Sequence, residues 1–225
     1  MEKEIKKIKQ LFIGYLNQYA DSKTFEEIEG TAIPSYIHKN PIIRQIFWRR
    51  VFIILGQIKK ISPKSMLDFG CGSGVITAFV NPQVNRFVTD ISYDSFDFMQ
   101  QRVDHLRNVT KLYPNDLDKI ESRFDVILAA DVLEHLEGDC IKNQLSLFHK
   151  WLKPGGHLII SGPTENFIYK IGRKIAGFKG DYHKTNIKDI AYIVSKSALF
   201  KLNAKIWYPV PFICEGFWIL TYGKI

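Results

Sequence analysis

A glycine-rich turn that follows a short apolar run constrains the fold of this chain more than any other feature. Residues 66–80 read MLDFGCGSGVITAFV, and the apolar run contains Asp68 near its end. Three glycines follow at alternate positions: Gly70, Gly72 and Gly74. Glycine tolerates positive φ angles and lets a ligand approach the backbone closely. The pattern therefore predicts a buried strand, a tight turn and a helix opening at 75–80, the first unit of an α/β nucleotide-binding fold.

The residues around this turn discriminate among the ligands that such folds bind. A dinucleotide loop places a pyrophosphate at a helix N-terminus, where the carboxylate of Asp68 would repel it. The third position of the G-x-G-x-x-G pattern also falls on Val75 instead of glycine. S-adenosylmethionine (SAM) carries a cationic group and hydroxyls, both of which suit an acidic residue. The turn therefore favours SAM over NAD or FAD.

Strand and helix patterns alternate along the rest of the chain. Strands are predicted at 66–69, 86–90, 109–113, 124–130 and 157–161. Helices are predicted at 92–106, 140–151 and 187–199, with a loop at 115–117. Two later apolar runs, at 204–210 and 217–222, are typical of an antiparallel hairpin that completes the sheet. Such alternation indicates parallel strands with right-handed crossovers and ligand sites at the carboxyl ends of the strands.

Acidic residues lie at or just after four of the predicted strand ends: Asp68, Asp90, Asp116 and Asp131. One carboxylate at such a position is unremarkable, but four in succession predict a polar ligand cleft. Asp90 ends the second strand, where a carboxylate can accept hydrogen bonds from both hydroxyls of a ribose.

From about Ser65 to the C-terminus, the chain resembles the class I SAM-dependent methyltransferases. LDFGCGSG is similar to their first motif, TD at 89–90 to their second and ND at 115–116 to their third. FDVILAADVLEHL resembles their fourth-strand motif, and LKPGGHLIIS resembles the turn and fifth strand that follow. The resemblance implies a Rossmann-like α/β fold, whose seven-stranded, mostly parallel sheet has helices on both faces and an antiparallel last strand.

The same resemblance implies SAM as cofactor, with S-adenosylhomocysteine (SAH) as product. Asp68 and the glycine loop would hold the methionine end of SAM, Asp90 the ribose and Asp116 the adenine amine. The cofactor-binding residues predicted on this basis are Asp68, Gly70, Cys71, Gly72, Gly74, Asp90, Ile91, Asn115, Asp116, Leu117, Ala130 and Asp131.

The run VLEH at 132–135 most resembles the branch that includes ubiquinone and menaquinone biosynthesis methyltransferases. This branch implies O- or C-methylation of a small-molecule, lipophilic acceptor. His135 is then the candidate general base, because imidazole titrates near neutral pH. A structural role, or a position beside SAM, is the alternative for this histidine. A metal site is not expected, because no His/Cys cluster accompanies the aspartates.

The segments outside these motifs divide the chain into an N-terminal helical cap, 1–62, and a SAM-binding core, 63–225. The cap is interpreted either as a lid over the acceptor pocket or as helices that cover one face of the sheet. A basic amphipathic helix is predicted within an insert at 164–186. It can contact an anionic membrane surface, close over the pocket as a lid, or pack on the core. Tyr182 and His183 reach the pocket only in the lid arrangement.

Composition limits the remaining alternatives. The 225 residues suit one sizeable core, and the isolated cysteines Cys71, Cys140 and Cys214 suit a reducing compartment. No apolar run is long enough for a transmembrane helix.

We expect a cytoplasmic protein, with peripheral contact at the inner face of the membrane as one option. The net charge of +8 also keeps RNA methylation open, and a non-catalytic SAM-binding scaffold is the other alternative. DNA is not an expected partner.

Overall fold

A seven-stranded sheet forms the centre of the computed structural model, which describes residues 2–29, 31–165, 184–210 and 214–225. The strands are β1 (Ser65–Phe69), β2 (Asn85–Thr89), β3 (Thr110–Lys111), β4 (Phe124–Ala130), β5 (Leu152–Pro163), β6 (Phe200–Val210) and β7 (Cys214–Lys224). Their order is β3-β2-β1-β4-β5-β7-β6. Pairs among β1 to β5 are parallel, whereas β7 runs antiparallel to both β5 and β6. The predicted fold class, including the antiparallel last strand, is confirmed.

Helices cover both faces of this sheet. They are α1 (Glu2–Asp21), α2 (Phe25–Glu29), α3 (Ile33–Tyr36), α4 (Pro41–Ile61), α5 (Asp94–Gln100), α6 (Pro114–Leu117), α7 (Gly138–Trp151) and α8 (Ile187–Lys196). On one face, Phe12 of α1 and Trp48 of α4 pack in the same core as Met66 of β1. On the other face, Phe148 of α7 and Ile190 of α8 pack in a second core, to which alternate strand residues contribute. Because successive side chains of a strand point to opposite faces of the sheet, the strands contribute residues to both cores.

The crossover that follows β1 is shorter than the sequence pattern predicts. The helix expected to open at 75–80 is only a 3-10 turn, Thr77–Phe79. Residues 70–84 must supply the glycine turn and then return the chain to β2, and Asn81 and Pro82 end the turn before a longer helix can form. This prediction was therefore wrong in length, although the strand–turn–strand path is as expected.

The helix predicted at 92–106 is also interrupted. It divides into α5 and a 3-10 turn, Asp104–Leu106, because the backbone is extended at Val103, whose side chain is buried. The Gln100 amide donates hydrogen bonds of 3.0 Å to the carbonyls of both Leu106 and Val109. These side-chain bonds replace the helical backbone pattern, which apolar periodicity alone does not reveal.

The loop predicted at 115–117 is part of the short helix α6. Its first residue is Pro114, and the Asp116 carboxylate accepts a 2.9 Å hydrogen bond from the backbone N–H of Tyr113. Proline at the first helical position and an acidic residue two positions later are both start signals. The sequence therefore contained the information needed for this correction.

Residues 166–183, which include most of the predicted amphipathic helix together with Tyr182 and His183, lie outside the described residues. Among the helices that are described, none combines the length and apolar character needed to span a membrane.

Candidate cofactor and acceptor site

The glycine turn lies at the carboxyl end of β1, and each of its glycines has a positive φ: 74° at Gly70, 51° at Gly72 and 73° at Gly74. A Cβ at Gly70 would overlap Cγ2 of Val132, and a Cβ at Gly74 would lie 2.8 Å from Cε2 of Phe96. A Cβ at Gly72 would meet no atom within 4 Å. The outer glycines therefore permit close packing, whereas the middle one leaves open space beside the backbone.

Asp68 lies at the floor of this turn and is only 2% exposed. Its Oδ2 accepts a 2.5 Å hydrogen bond from the hydroxyl of Thr77. Burial raises the pKa of Asp68 to about 7, the negative charge of Asp90 adds to the rise, and the Thr77 hydrogen bond opposes it. Because an added positive charge would favour the carboxylate form, this group suits a cationic ligand.

Asp90 follows β2 and faces the glycine turn. Its Oδ2 accepts a 2.7 Å hydrogen bond from the N–H of Gly72, and its Oδ1 accepts one of 3.3 Å from the N–H of Ser92. These bonds orient both carboxylate oxygens, each of which has another lone pair to offer a ligand. The next side chain, Ile91, is fully exposed and provides an apolar surface at the same edge of the sheet.

The turn itself is tied to β2 through the carbonyl of Thr89, which accepts hydrogen bonds from the N–H groups of Gly70 and Cys71. The Cys71 side chain is buried, and burial raises the pKa of its thiol well above the usual value. Cys71 therefore contributes backbone to the turn and no reactive thiolate.

The predicted adenine-side residues divide into two groups. Asn115 and Asp116 are exposed on α6, at the carboxyl end of β3, whereas the side chain of Leu117 packs in the core. Leu117 can thus offer a ligand only its backbone. Tyr113, which sequence reasoning did not select, is half-exposed, and its ring lies 5.3 Å from the ring of Tyr93. Its position two residues before the ND motif was the signal that the sequence offered.

Asp131, after β4, has a left-handed backbone with φ of 56° and forms an ion pair with Arg50. Arg50 lies on α4 and is 2% exposed, whereas the Asp131 side chain is 21% exposed. The hydroxyl of Ser161 donates a 3.3 Å hydrogen bond to Oδ1 of Asp131. The sequence offered no signal for Arg50, because the pairing joins two distant segments. Ala130, which precedes Asp131, is half-buried at the end of β4.

The residues that follow Asp131 form a 3-10 turn, Leu133–His135. Glu134 is 1% exposed, and burial together with the charge of Asp131 raises its pKa well above the usual value, against the opposing effect of Arg50. His135 is exposed at the end of the turn. The structure thus brings the predicted base to the carboxyl edge of the sheet, where the predicted cofactor residues also lie. Within the described ranges, no group of three His, Cys, Asp or Glu side chains is arranged to hold a metal ion.

Comparison with known proteins agrees with this geometry. Residues 67–158 match the model of a family described as a methyltransferase domain. The chain is 28% identical over 148 residues to fusarielin synthase FSL1 of Gibberella zeae, a match that covers 59% of this chain and 6% of that protein. It is 25% identical over 166 residues to malonyl-[acyl-carrier protein] O-methyltransferase of Halalkalibacterium halodurans, covering 68% of this chain and 59% of that protein. The chain thus spans less than two thirds of the length of either relative.

Among solved structures, magnesium protoporphyrin IX methyltransferase (ChlM) from Synechocystis PCC 6803 with bound SAH superimposes with a TM-score of 0.63. Its sequence is 18% identical, and the match covers 96% of this chain and 100% of that one. This likeness shows a shared fold. Residues 67–158 are thus similar to a methyltransferase domain, and the sheet has the same fold as that methyltransferase.

Proposed function

We propose that this protein transfers a methyl group from SAM to a small-molecule acceptor. The observation that carries the proposal is the pairing of Gly72 with Asp90: a turn with open space beside its backbone lies against an oriented carboxylate. The exposed Ile91 and Tyr113 at the same edge add apolar surface that a purine ring would cover. Together these residues fit the methionine, ribose and adenine parts of SAM.

Each part of the cofactor has a proposed partner. The carboxylate of Asp68 and the backbone of the glycine turn hold the methionine end. The two oxygens of Asp90 accept from the ribose hydroxyls, with their orientation set by the N–H groups of Gly72 and Ser92. Asp116 accepts from the adenine amine, and Ile91 and Tyr113 pack against the ring. The bound cofactor supplies a methyl group that its sulfonium already activates for displacement.

The protein's task is then to align the acceptor and to exclude water. We propose that the helices of residues 2–61, which cover one face of the sheet, also line the acceptor side, with His135 as the candidate general base for a hydroxyl acceptor. The ring of Phe47, which is partly buried and packs on the buried Tyr36, suits a lipophilic acceptor. The similarity to malonyl-[acyl-carrier protein] O-methyltransferase of H. halodurans supports methylation at an oxygen atom.

Methyl transfer is tested by incubating the protein with [methyl-¹⁴C]SAM and a protein-free bacterial metabolite extract, in parallel with total bacterial RNA. Label in the low-molecular-weight fraction supports the proposal. Label in RNA, with binding that weakens steeply as salt rises, would instead support the RNA alternative that the net charge of +8 favours. SAH binding without label in either fraction would favour the scaffold alternative.

A cytoplasmic location with peripheral contact at the membrane is a separate part of the proposal, supported by the basic amphipathic pattern predicted at 164–186 and by the charge of the chain. Sedimentation with vesicles that contain anionic phospholipid tests it. Binding that is lost with neutral vesicles supports membrane contact, and equal sedimentation without vesicles contradicts it.

A further inference from the structure

A buried cation connects the N-terminal helices to the end of the central strand. The guanidinium of Arg50 lies 5.1 Å from the ring centroid of Phe47 and 4.6 Å from that of Phe217. It forms an ion pair with Oδ2 of Asp131. Phe47 and Arg50 belong to α4, whereas Phe217 belongs to β7, so the guanidinium is enclosed by two different parts of the fold. Aromatic faces stabilise such a cation and leave it little rotational freedom.

Asp131 is held on its other side as well. Its backbone N–H donates a 2.9 Å hydrogen bond to the carbonyl of Ser161, and the hydroxyl of Ser161 donates to Oδ1. A non-glycine residue with φ of 56° is strained and persists only where its surroundings determine its conformation. Arg50 and Ser161 together fix the orientation of the Asp131 carboxylate.

Fold stability alone is a poor explanation for this arrangement. Removing two charges from water carries a desolvation cost that their attraction often fails to exceed, so a buried ion pair is weak evidence for a stabilising role. The backbone strain at Asp131 adds a further cost. Strained residues and buried charges cluster where a protein must hold a reactive geometry.

The position of Asp131 places its carboxylate close to the proposed cofactor site. The next side chain, Val132, occupies the space that a Cβ on Gly70 would need, so the two loops are in contact. Asp131 is therefore the sequence neighbour of a residue that contacts the turn proposed to hold the methionine end of SAM. The part of its side chain that remains exposed opens at the carboxyl edge of the sheet.

We propose that Asp131, in place of His135, is the catalytic residue that accepts the proton of an N–H or O–H nucleophile, and that Arg50 is the positioning residue that orients it. This inference rests on the proposed methyl transfer and narrows its acceptor to a molecule whose reacting atom carries a proton. Helix α4 thereby contributes directly to the reaction geometry through Arg50.

The step balances without any further reactant. The acceptor's nitrogen or oxygen forms a bond to the methyl carbon as the carbon–sulfur bond of the donor breaks, and the electron pair of that bond goes to sulfur. The proton of the acceptor passes to the Asp131 carboxylate and then to solvent at its exposed edge.

The first test identifies the atom that is methylated. The wild-type protein is incubated with [¹³C-methyl]SAM and a protein-free bacterial metabolite extract, and the carbon chemical shift of the product methyl group is measured. A methyl group on a hydroxyl oxygen or on nitrogen is expected, and one on carbon or on a carboxylate oxygen overturns the inference while leaving the proposed function intact. A protein that binds SAH but labels nothing overturns both.

The second test compares variants on that product-forming mixture, with SAH binding as the check of folding. Asp131→Asn should lower kcat about 100-fold or more, a typical loss for a group that accepts a proton, with SAH affinity unchanged. Arg50→Met should lower kcat similarly, and Arg50→Lys should recover part of it, because the charge is kept and the planar geometry is lost. Arg49→Lys, at the exposed neighbouring position, is the matched control and should behave as wild type.

Ser161→Ala provides a milder variant, since it removes one hydrogen bond to Asp131 and leaves the ion pair in place. It should lower kcat more than it changes KM. If Asp131→Asn instead weakens SAH binding in parallel with turnover, Asp131 is a cofactor residue and the inference fails. Near-wild-type turnover in folded Asp131→Asn also overturns it.

Discussion

The backbone N–H of Gly72 donates a hydrogen bond of 2.7 Å to Oδ2 of Asp90, which joins the turn after β1 to the end of β2. The carboxylate is therefore oriented by the protein before any ligand binds. Such preorganisation lowers the entropy cost of binding, because the side chain does not have to be ordered by the ligand. The same bond brings the loop and the acidic residue, which are separate motifs in the sequence, together in one candidate site.

The glycines of this turn should respond differently to the same substitution. Gly70→Ala and Gly72→Ala both place a side chain at positive φ, which costs about 1–2 kcal/mol. Gly70→Ala also creates the clash with Val132, so it should have the lower Tm of the two in thermal unfolding. Gly72→Ala should remain folded but bind SAH more weakly, since its methyl group enters the space proposed for the ligand. Equal Tm values for the two variants would contradict this assignment of roles.

Cofactor binding should depend on pH through Asp68. Burial favours the protonated form in the free protein, so this group's contribution to stability is greatest at low pH and is lost as pH rises through about 7. The cationic amine of SAH requires the carboxylate, so SAH affinity should fall up to about tenfold for each pH unit below about 7. Calorimetric titration from pH 5.5 to 8.5, a range chosen to be roughly symmetric about that pKa, measures this dependence.

Two variants separate Asp68 from other titrating groups. Asp68→Asn should bind weakly at every pH and lose the dependence. Thr77→Val removes the hydrogen bond that lowers the pKa of Asp68, so the midpoint of the dependence should move to higher pH. A midpoint that stays in place in Thr77→Val would exclude Asp68 as its origin.

Asp125 should matter for stability and not for cofactor binding. Its Oδ2 accepts from the N–H groups of Lys64 and Ser65 and its Oδ1 from the Lys153 ammonium, each at 2.8 Å. These contacts join the start of β1 to β4 and β5 at the opposite edge of the sheet from the candidate site. Asp125→Ala should lower the free energy of unfolding in urea by about 1–3 kcal/mol and leave SAH affinity unchanged.

The stability contributed by Asp125 should depend on pH in the opposite direction to that contributed by Asp68. Burial alone would raise the pKa of Asp125, but its bonds to Lys153, Ser65 and Lys64 lower it overall. The stabilisation is therefore present above about pH 4, the ordinary value for aspartate, and is lost as pH falls further. The difference in stability between wild type and Asp125→Ala should shrink in that acidic range, and a difference that grows there would contradict the assignment.

The sheet and the grouping of carboxylates at the carboxyl ends of its strands were predictable because their signals are local. Glycine turns, apolar strands and an acid at a strand end are short patterns, and the parallel topology then brings Asp68 and Asp90 to one edge. Arg50 was not predictable, because its pairing with Asp131 depends on how α4 crosses the sheet. The break at Val103 was missed because burial of its side chain and the hydrogen bonds of Gln100 override helical periodicity. The short turn at Thr77–Phe79 instead follows from Asn81 and Pro82, which end it.

The most direct measurement is calorimetric titration of SAH into the wild-type protein, Asp90→Ala and Asp104→Ala. Asp104 is an exposed carboxylate in the connection that leads into β3, away from the candidate site, and its replacement should change nothing. Wild-type protein should bind SAH, and Asp90→Ala should bind it about 10- to 100-fold more weakly, the loss expected for hydrogen bonds to a charged acceptor. A folded wild-type protein that does not bind SAH, or an Asp90→Ala variant that binds it with unchanged affinity, would contradict the SAM site at the Gly72–Asp90 pair.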